Sequence, residues 1–144
     1  MLESKPWLGL YPKEIPATLE YSREPVQEYL INAAREFPGK IAIHFMGKEM
    51  TYKQLYEESL SVASYLQQSI GIKKDERVAI MLPNCPQAVI SYFGILMAGG
   101  IVVQTNPLYT ERELEYQMKD SGSKAIITMD ILYPRVTKVM PQTN

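Results

Sequence analysis

The sequence predicts an α/β protein: a partial parallel sheet with flanking helices, formed by a βαβαβ run over residues 77–128 and preceded by an extended arm, a helix and a β-hairpin. Two observations carry this reading. Residues 77–82, 101–105 and 124–128 are short stretches rich in Val or Ile, each of strand length. The segments between them have helical length and pattern, and strands that alternate with such segments read as βαβ units. Crossovers of this kind are right-handed, so the second strand lies beside or near the first with the helix on one face. Parallel α/β sheets bind ligands beyond the carboxyl ends of their strands, and here those ends carry Asn84, Asn106 and Asp130.

Residues 1–25 hold four of the ten prolines and no sustained periodicity, which predicts an extended arm with Trp7, Leu8, Leu10 and Tyr11 lying against the body. The remainder, residues 26–144, reads as one incomplete α/β unit. Val26, Tyr29, Leu30, Ala33, Ala34 and Phe37 recur at helical spacing. Pro25 suits the first turn of that helix, and Pro38-Gly39 ends it. Two β-like runs around Met46-Gly47-Lys48 predict a hairpin.

Thr51 and Gln54 have capping-box spacing and open a helix whose apolar stripe is Leu55, Val62, Ala63, Leu66 and Ile70, with Gly71 placed to close it. After the first parallel strand, a helix from about residue 86 to 98 is apolar nearly all round, which requires cover on most sides and makes it a central element. Gly99-Gly100 turns the chain into the second strand. Thr110 and Glu113 form a second capping box, Leu114 and Met118 point inward, and Ser121-Gly122 stops that helix. Asp130 is placed to cap a last helix; alternatively that helix begins at Pro134, which sits deep in the first turn.

A chain of 144 residues with 46% hydrophobic and 22% charged composition is long enough for one domain with a core. Fifteen basic against sixteen acidic residues leave no electrostatic footprint for nucleic acid. The single Cys excludes an internal disulfide and fits a reducing cytoplasm. The amino terminus lacks the apolar core and cleavage site of a signal peptide. The longest apolar tract, residues 88–103, falls short of the roughly 20 residues of a membrane span. A cytoplasmic protein is expected, with peripheral contact to a membrane surface left open.

Several short pieces then fall in a familiar order: Met50-Thr51-Tyr52 leading to Leu55, Arg77-Val78-Ala79-Ile80 running to Leu82-Pro83-Asn84, Pro86-Gln87, and Ala98-Gly99-Gly100. Asn106-Pro107-Leu108-Tyr109-Thr110, Glu113-Leu114, and Asp120-Ser121-Gly122 before Lys124 complete the series. Over about a hundred residues this order resembles the amino-terminal part of the adenylate-forming acyl-CoA synthetases, AMP-binding enzymes, and within them the long-chain fatty-acid–CoA ligases. Gln87 stands where that family usually has Glu, and Gly100 where it often has Ala.

The resemblance implies a two-step reaction. A fatty-acid carboxylate attacks the α-phosphate of MgATP to give an acyl-adenylate and pyrophosphate, and the thiol of coenzyme A then displaces AMP. It also implies that the phosphate loop, the Mg²⁺ carboxylate, the ribose Asp and the catalytic Lys lie downstream of the matched residues. No Ser/Thr/Gly-rich loop is present. Gly94 and Gly99 are spaced like the ends of a P-loop, but Gly100 follows where Lys is needed. The chain therefore reads as an inactive fragment of a longer ligase, with no catalytic, ATP-binding or metal-ligating residue and no cofactor of its own.

The resemblance turns the loop Asn106, Pro107 and Leu108 toward coenzyme A; the plainer reading is that Asn106 and Pro107 shape a turn. His44 is a lone histidine and reads as structural, and Cys85 near a helix start reads as a capping or buried small residue. Lys53, Lys73 and Lys74 read as surface lysines, and Asp120-Ser121 as a helix terminator. The competing function is a self-sufficient flavodoxin-like binding or interaction module. The strand ends lack the acidic cluster of a phospho-acceptor, and Pro83-Asn84-Cys85 is not a flavin phosphate loop. A severed domain face would also favour self-association.

Overall fold

The computed structural model describes residues 5–140. A hairpin pairs β1 (Ile41–Phe45) with β2 (Lys48–Thr51). The two residues between them, Met46 and Gly47, both have positive φ, 48° and 77°. That is the two-residue turn whose twist matches the flanking strands. The parallel sheet contains β3 (Arg77–Met81), β4 (Ile101–Gln104) and β5 (Ala125–Thr128) in the order β4-β3-β5. Val78 lies opposite Val102 on one side and Ala125 on the other. The strand that comes first in sequence is therefore the central one, and it is buried along 78–81.

Because side chains alternate along a strand, β3 feeds two cores. Val78 and Ile80 point to a layer with Ala63, Leu66 and Ile95, built by α2 (Tyr52–Tyr65) and α3 (Pro86–Met97). Ala79 and Met81 point to the opposite layer, with Leu114 and Met118 of α4 (Glu111–Ser121) and Val136 and Val139 of α5 (Tyr133–Val139). The sheet is thus covered on both faces, as a near-continuous apolar central strand requires.

Both capping boxes form. The Gln54 amide donates to Thr51 Oγ1 at 3.2 Å and the Thr51 amide to Gln54 Oε1 at 2.9 Å; Thr110 and Glu113 repeat the exchange. Beyond α2 the chain makes one wider turn, Leu66–Ile70, closed by Gly71 at φ 78°. The Gly71 amide reaches back five residues to the Leu66 carbonyl. This wide turn swings Ile70 out of the expected stripe into solvent, while Ser59, which no apolar pattern marks, is fully buried and donates to the Leu55 carbonyl at 2.7 Å.

Four other expectations are corrected. Of α1 (Val26–Glu36) only Leu30 is buried, and Val26, Tyr29 and Phe37 are exposed. Periodicity names the apolar face of a helix but not how much partner surface is present to cover it. Pro25 sits at the N-cap of α1, one residue before its first turn. In the arm, residues Pro6–Leu10 form one 3₁₀ turn; Leu8 is half-buried, whereas Trp7 (51% exposed), Leu10 and Tyr11 are exposed. The last helix is reached through a 3₁₀ turn, Asp130–Leu132, and begins at Tyr133; Pro134 occupies its first turn, where a missing amide hydrogen costs nothing. Among the described residues no helix is long and apolar enough to cross a membrane.

Candidate functional site

In this sheet the connection leaving β3 runs over one face through α3, and the connection leaving β4 runs over the other through α4. Neighbouring strands whose connections part in this way leave a crevice at their carboxyl ends, the usual place for a ligand in a doubly wound sheet. A cleft of about 490 Å³ opens there, lined by Leu82, Asn84 and Cys85 after β3, Tyr92 of α3, Gln104 of β4 and Phe45 of the hairpin. Cys85 and Asp130 line an adjoining cleft beside β5. The strand-end positions Asn84 and Asp130 are thus on the rim, in neighbouring hollows. Asn106, Pro107 and Leu108 stand outside both.

The loop carrying those three residues is built tightly. Thr105 is buried and its amide donates to the Ile80 carbonyl at 2.9 Å, which extends the β3–β4 ladder by one bond. Asn106 Oδ1 accepts from the Leu108 amide at 3.0 Å, and the Asn106 carbonyl accepts from the Tyr109 amide at 3.1 Å. That is an Asx turn, so Asn106 does shape the loop. The turn leaves Leu108 84% exposed. From α5, Arg135 Nη1 donates to the Pro107 carbonyl at 3.0 Å and also to the Tyr109 carbonyl. From α4, Gln117 Nε2 donates to the Gln104 carbonyl at 2.9 Å, and Gln117 Oε1 is buried without a partner among the described residues. Neither Arg135 nor Gln117 stands out in the sequence: each is a single polar residue meeting a partner 13 to 28 positions away.

The loop ends at the Thr110 cap. Glu113 Oε2 accepts from both the amide and the hydroxyl of Thr110, at 2.8 Å each. These bonds, that from the backbone amide first, hold the Glu113 carboxyl below the usual Glu range. A carboxylate depressed in the folded state adds stability above its unfolded pKa and loses it as pH falls through the folded one. Glu113→Gln keeps a capping-box side chain and removes the titration. Melting temperatures compared between about pH 6 and about pH 3 should therefore fall more steeply for the unmutated protein than for this variant; equal slopes would contradict the cap's contribution.

The remaining candidates are peripheral. His44 is exposed on β1 opposite Glu49. Cys85 is the N-cap of α3 and makes no side-chain capping bond. Lys53 pairs with Glu57 at 3.8 Å between two exposed side chains, and such a pair contributes little. The Lys73 amide donates to Glu76 Oε2. Gly122, after Asp120-Ser121, caps α4 in the left-handed conformation. Among the described residues no group of three His, Cys, Asp or Glu side chains could hold a metal ion.

The family model described as AMP-binding enzyme matches residues 30–143. The chain belongs to this family. Among curated members, it is 51% identical to a long-chain-fatty-acid–CoA ligase of Bacillus subtilis over 139 residues, 96% of this chain and 25% of that protein. It is 44% identical to a long-chain-fatty-acid–CoA ligase of Salmonella typhimurium over 141 residues, again 25% of that protein. The chain thus spans about a quarter of the length of the curated relatives it matches. Among solved structures, an anthranilate CoA ligase in complex with anthranoyl-AMP superposes with a TM-score of 0.77 at 25% identity, over 81% of this chain and 22% of that one. A benzoate CoA ligase from Burkholderia xenovorans gives 0.74 at 26% identity, over 80% and 23%. The resemblance carried by the short motifs, and the adenylate-forming fold it implied, are confirmed.

Proposed function

We propose that the whole protein to which these residues belong is a long-chain fatty-acid–CoA ligase. It forms an acyl-adenylate and pyrophosphate from a fatty acid and MgATP, then transfers the acyl group to the thiol of coenzyme A with release of AMP. The observation that supports this reading is 51% identity, over 96% of the chain, to a protein of that name. In this reading residues 1–144 supply scaffold, and Asn106, Pro107 and Leu108 face coenzyme A from the rim of the sheet. Exposure of Leu108 on a loop braced from both sides supports the assignment. No step through Mg²⁺ is assigned to these residues, which lack a ligand cluster among those described.

The test compares residues 1–144 with the protein extended to the full length of its relatives, measuring pyrophosphate release from MgATP with palmitate and with acetate. The extended protein should turn over with palmitate in preference to acetate, and the 144-residue chain should be silent with both. Turnover by the short chain would place the catalytic groups within it and overturn the reading. Preference for acetate would overturn the substrate class.

A further inference from the structure

From α5, Arg135 reaches across to the loop after β4 and donates hydrogen bonds to two of its carbonyls. It is half-buried, and the residues whose carbonyls it holds, Pro107 and Tyr109, flank Leu108, which is 84% exposed. The loop has four other restraints: the Asx turn of Asn106, the Thr105 ladder bond, the Thr110 cap and the packing of Tyr109 on the core beneath α4 and α5. The Asx turn is internal to the loop, and the ladder bond and the cap hold its two ends. Tyr109 also packs on the core shared by α4 and α5, and the Arg135 hydrogen bonds add a directional hold on residues 107–109 from α5. That element is itself tied to α4, because Lys138 Nζ pairs with Glu111 Oε1 at 2.8 Å and Val136 and Val139 are buried beside Leu114 and Met118.

We propose that Arg135 is a positioning residue for coenzyme A: it sets the height and tilt of the Asn106–Leu108 segment through the carbonyls of Pro107 and Tyr109, without touching the ligand. The inference rests on the reading that this segment faces coenzyme A. Its physical basis is that a charged donor shared by two carbonyls is a strong, directional restraint, and that a loop restrained before the ligand arrives pays less ordering cost on binding.

The experiment uses the full-length protein with palmitate, MgATP and coenzyme A, and separates the two half-reactions. Arg135→Ala should raise the KM for coenzyme A about tenfold, the equivalent of one charge-assisted anchor. The KM values for palmitate and ATP, and palmitate-dependent ATP–pyrophosphate exchange without coenzyme A, should stay within about twofold of the unmutated protein. Arg135→Lys, which keeps a charged donor able to reach one carbonyl, should lie between the two, and it carries the test if the Ala variant does not fold. A general loss of all three substrates' affinities, or a lowered melting temperature with the KM for coenzyme A unchanged, would reduce Arg135 to a structural role and overturn the proposal. If the unmutated protein exchanges pyrophosphate and makes palmitoyl-CoA while both Arg135 variants match it, the ligase reading stands and this inference falls. If the unmutated protein does neither, the ligase reading falls and takes the inference with it.

Discussion

Replacing Ile80 with Ala should lower the stability of the protein by about 2–5 kcal/mol, the range for deleting a buried Ile side chain and leaving a cavity. Ile80 is 1% exposed at the middle of the central strand, packed against residues of α2 and α3 and flanked by β4 and β5. Both neighbouring strands hold its backbone, so the surroundings cannot collapse into the space. Ile101→Ala is the contrasting case: it has the same chemistry, but on the edge strand with 40% exposure, so it should cost less than about 1 kcal/mol. Urea unfolding followed by circular dichroism should show the midpoint falling by well over one molar for the first variant and hardly at all for the second. Equal shifts would mean that β3 is not the centre of the sheet.

Gly94→Ala should also destabilise, by about 1–3 kcal/mol, against the helix-propensity rule, which taken alone predicts a gain of about 1 kcal/mol. A Cβ at this position would lie 2.7 Å from both Cβ and Cγ1 of Val62 and 3.0 Å from the Ser59 carbonyl oxygen. None of these is the far end of a flexible side chain, so α2 and α3 must move apart. That crossing also holds Ser59, buried with its hydroxyl on the Leu55 carbonyl, and separating the helices would open the layer over Val78 and Ile80. A melting temperature lower by several degrees would agree; an unchanged or higher one would show that the helices pack less closely than the distances say.

Gly94 illustrates where the chain could and could not be read. In the sequence its P-loop spacing to Gly99 came to nothing, because Gly100 stands where Lys is needed, and no other role could be read; in the structure it is a close contact between two helices. The reason is that a lone Gly has no partner in the sequence, and its role is fixed by residues about thirty positions earlier. The same applies to Ser59, to the uncovered face of α1 and to Arg135. Each depends on which surface lies opposite, and periodicity carries no information about that.

What the sequence determined by itself was everything with a local code. Thr51 with Gln54 and Thr110 with Glu113 start their helices because both partners lie within one turn. Met46-Gly47, Gly71, Gly99 and Gly122 mark their turns because their backbones take positive φ. The βαβαβ alternation, and the order of short motifs that names the family, were legible for the same reason. Only the tertiary structure decided that β3 lies between β4 and β5, that the connections part on opposite faces to open a cleft at Asn84 and Gln104, and that the loop after β4 is held from α5. Strand order and clefts arise when apolar faces already specified locally compete for cover, and that competition is settled between residues far apart in the chain.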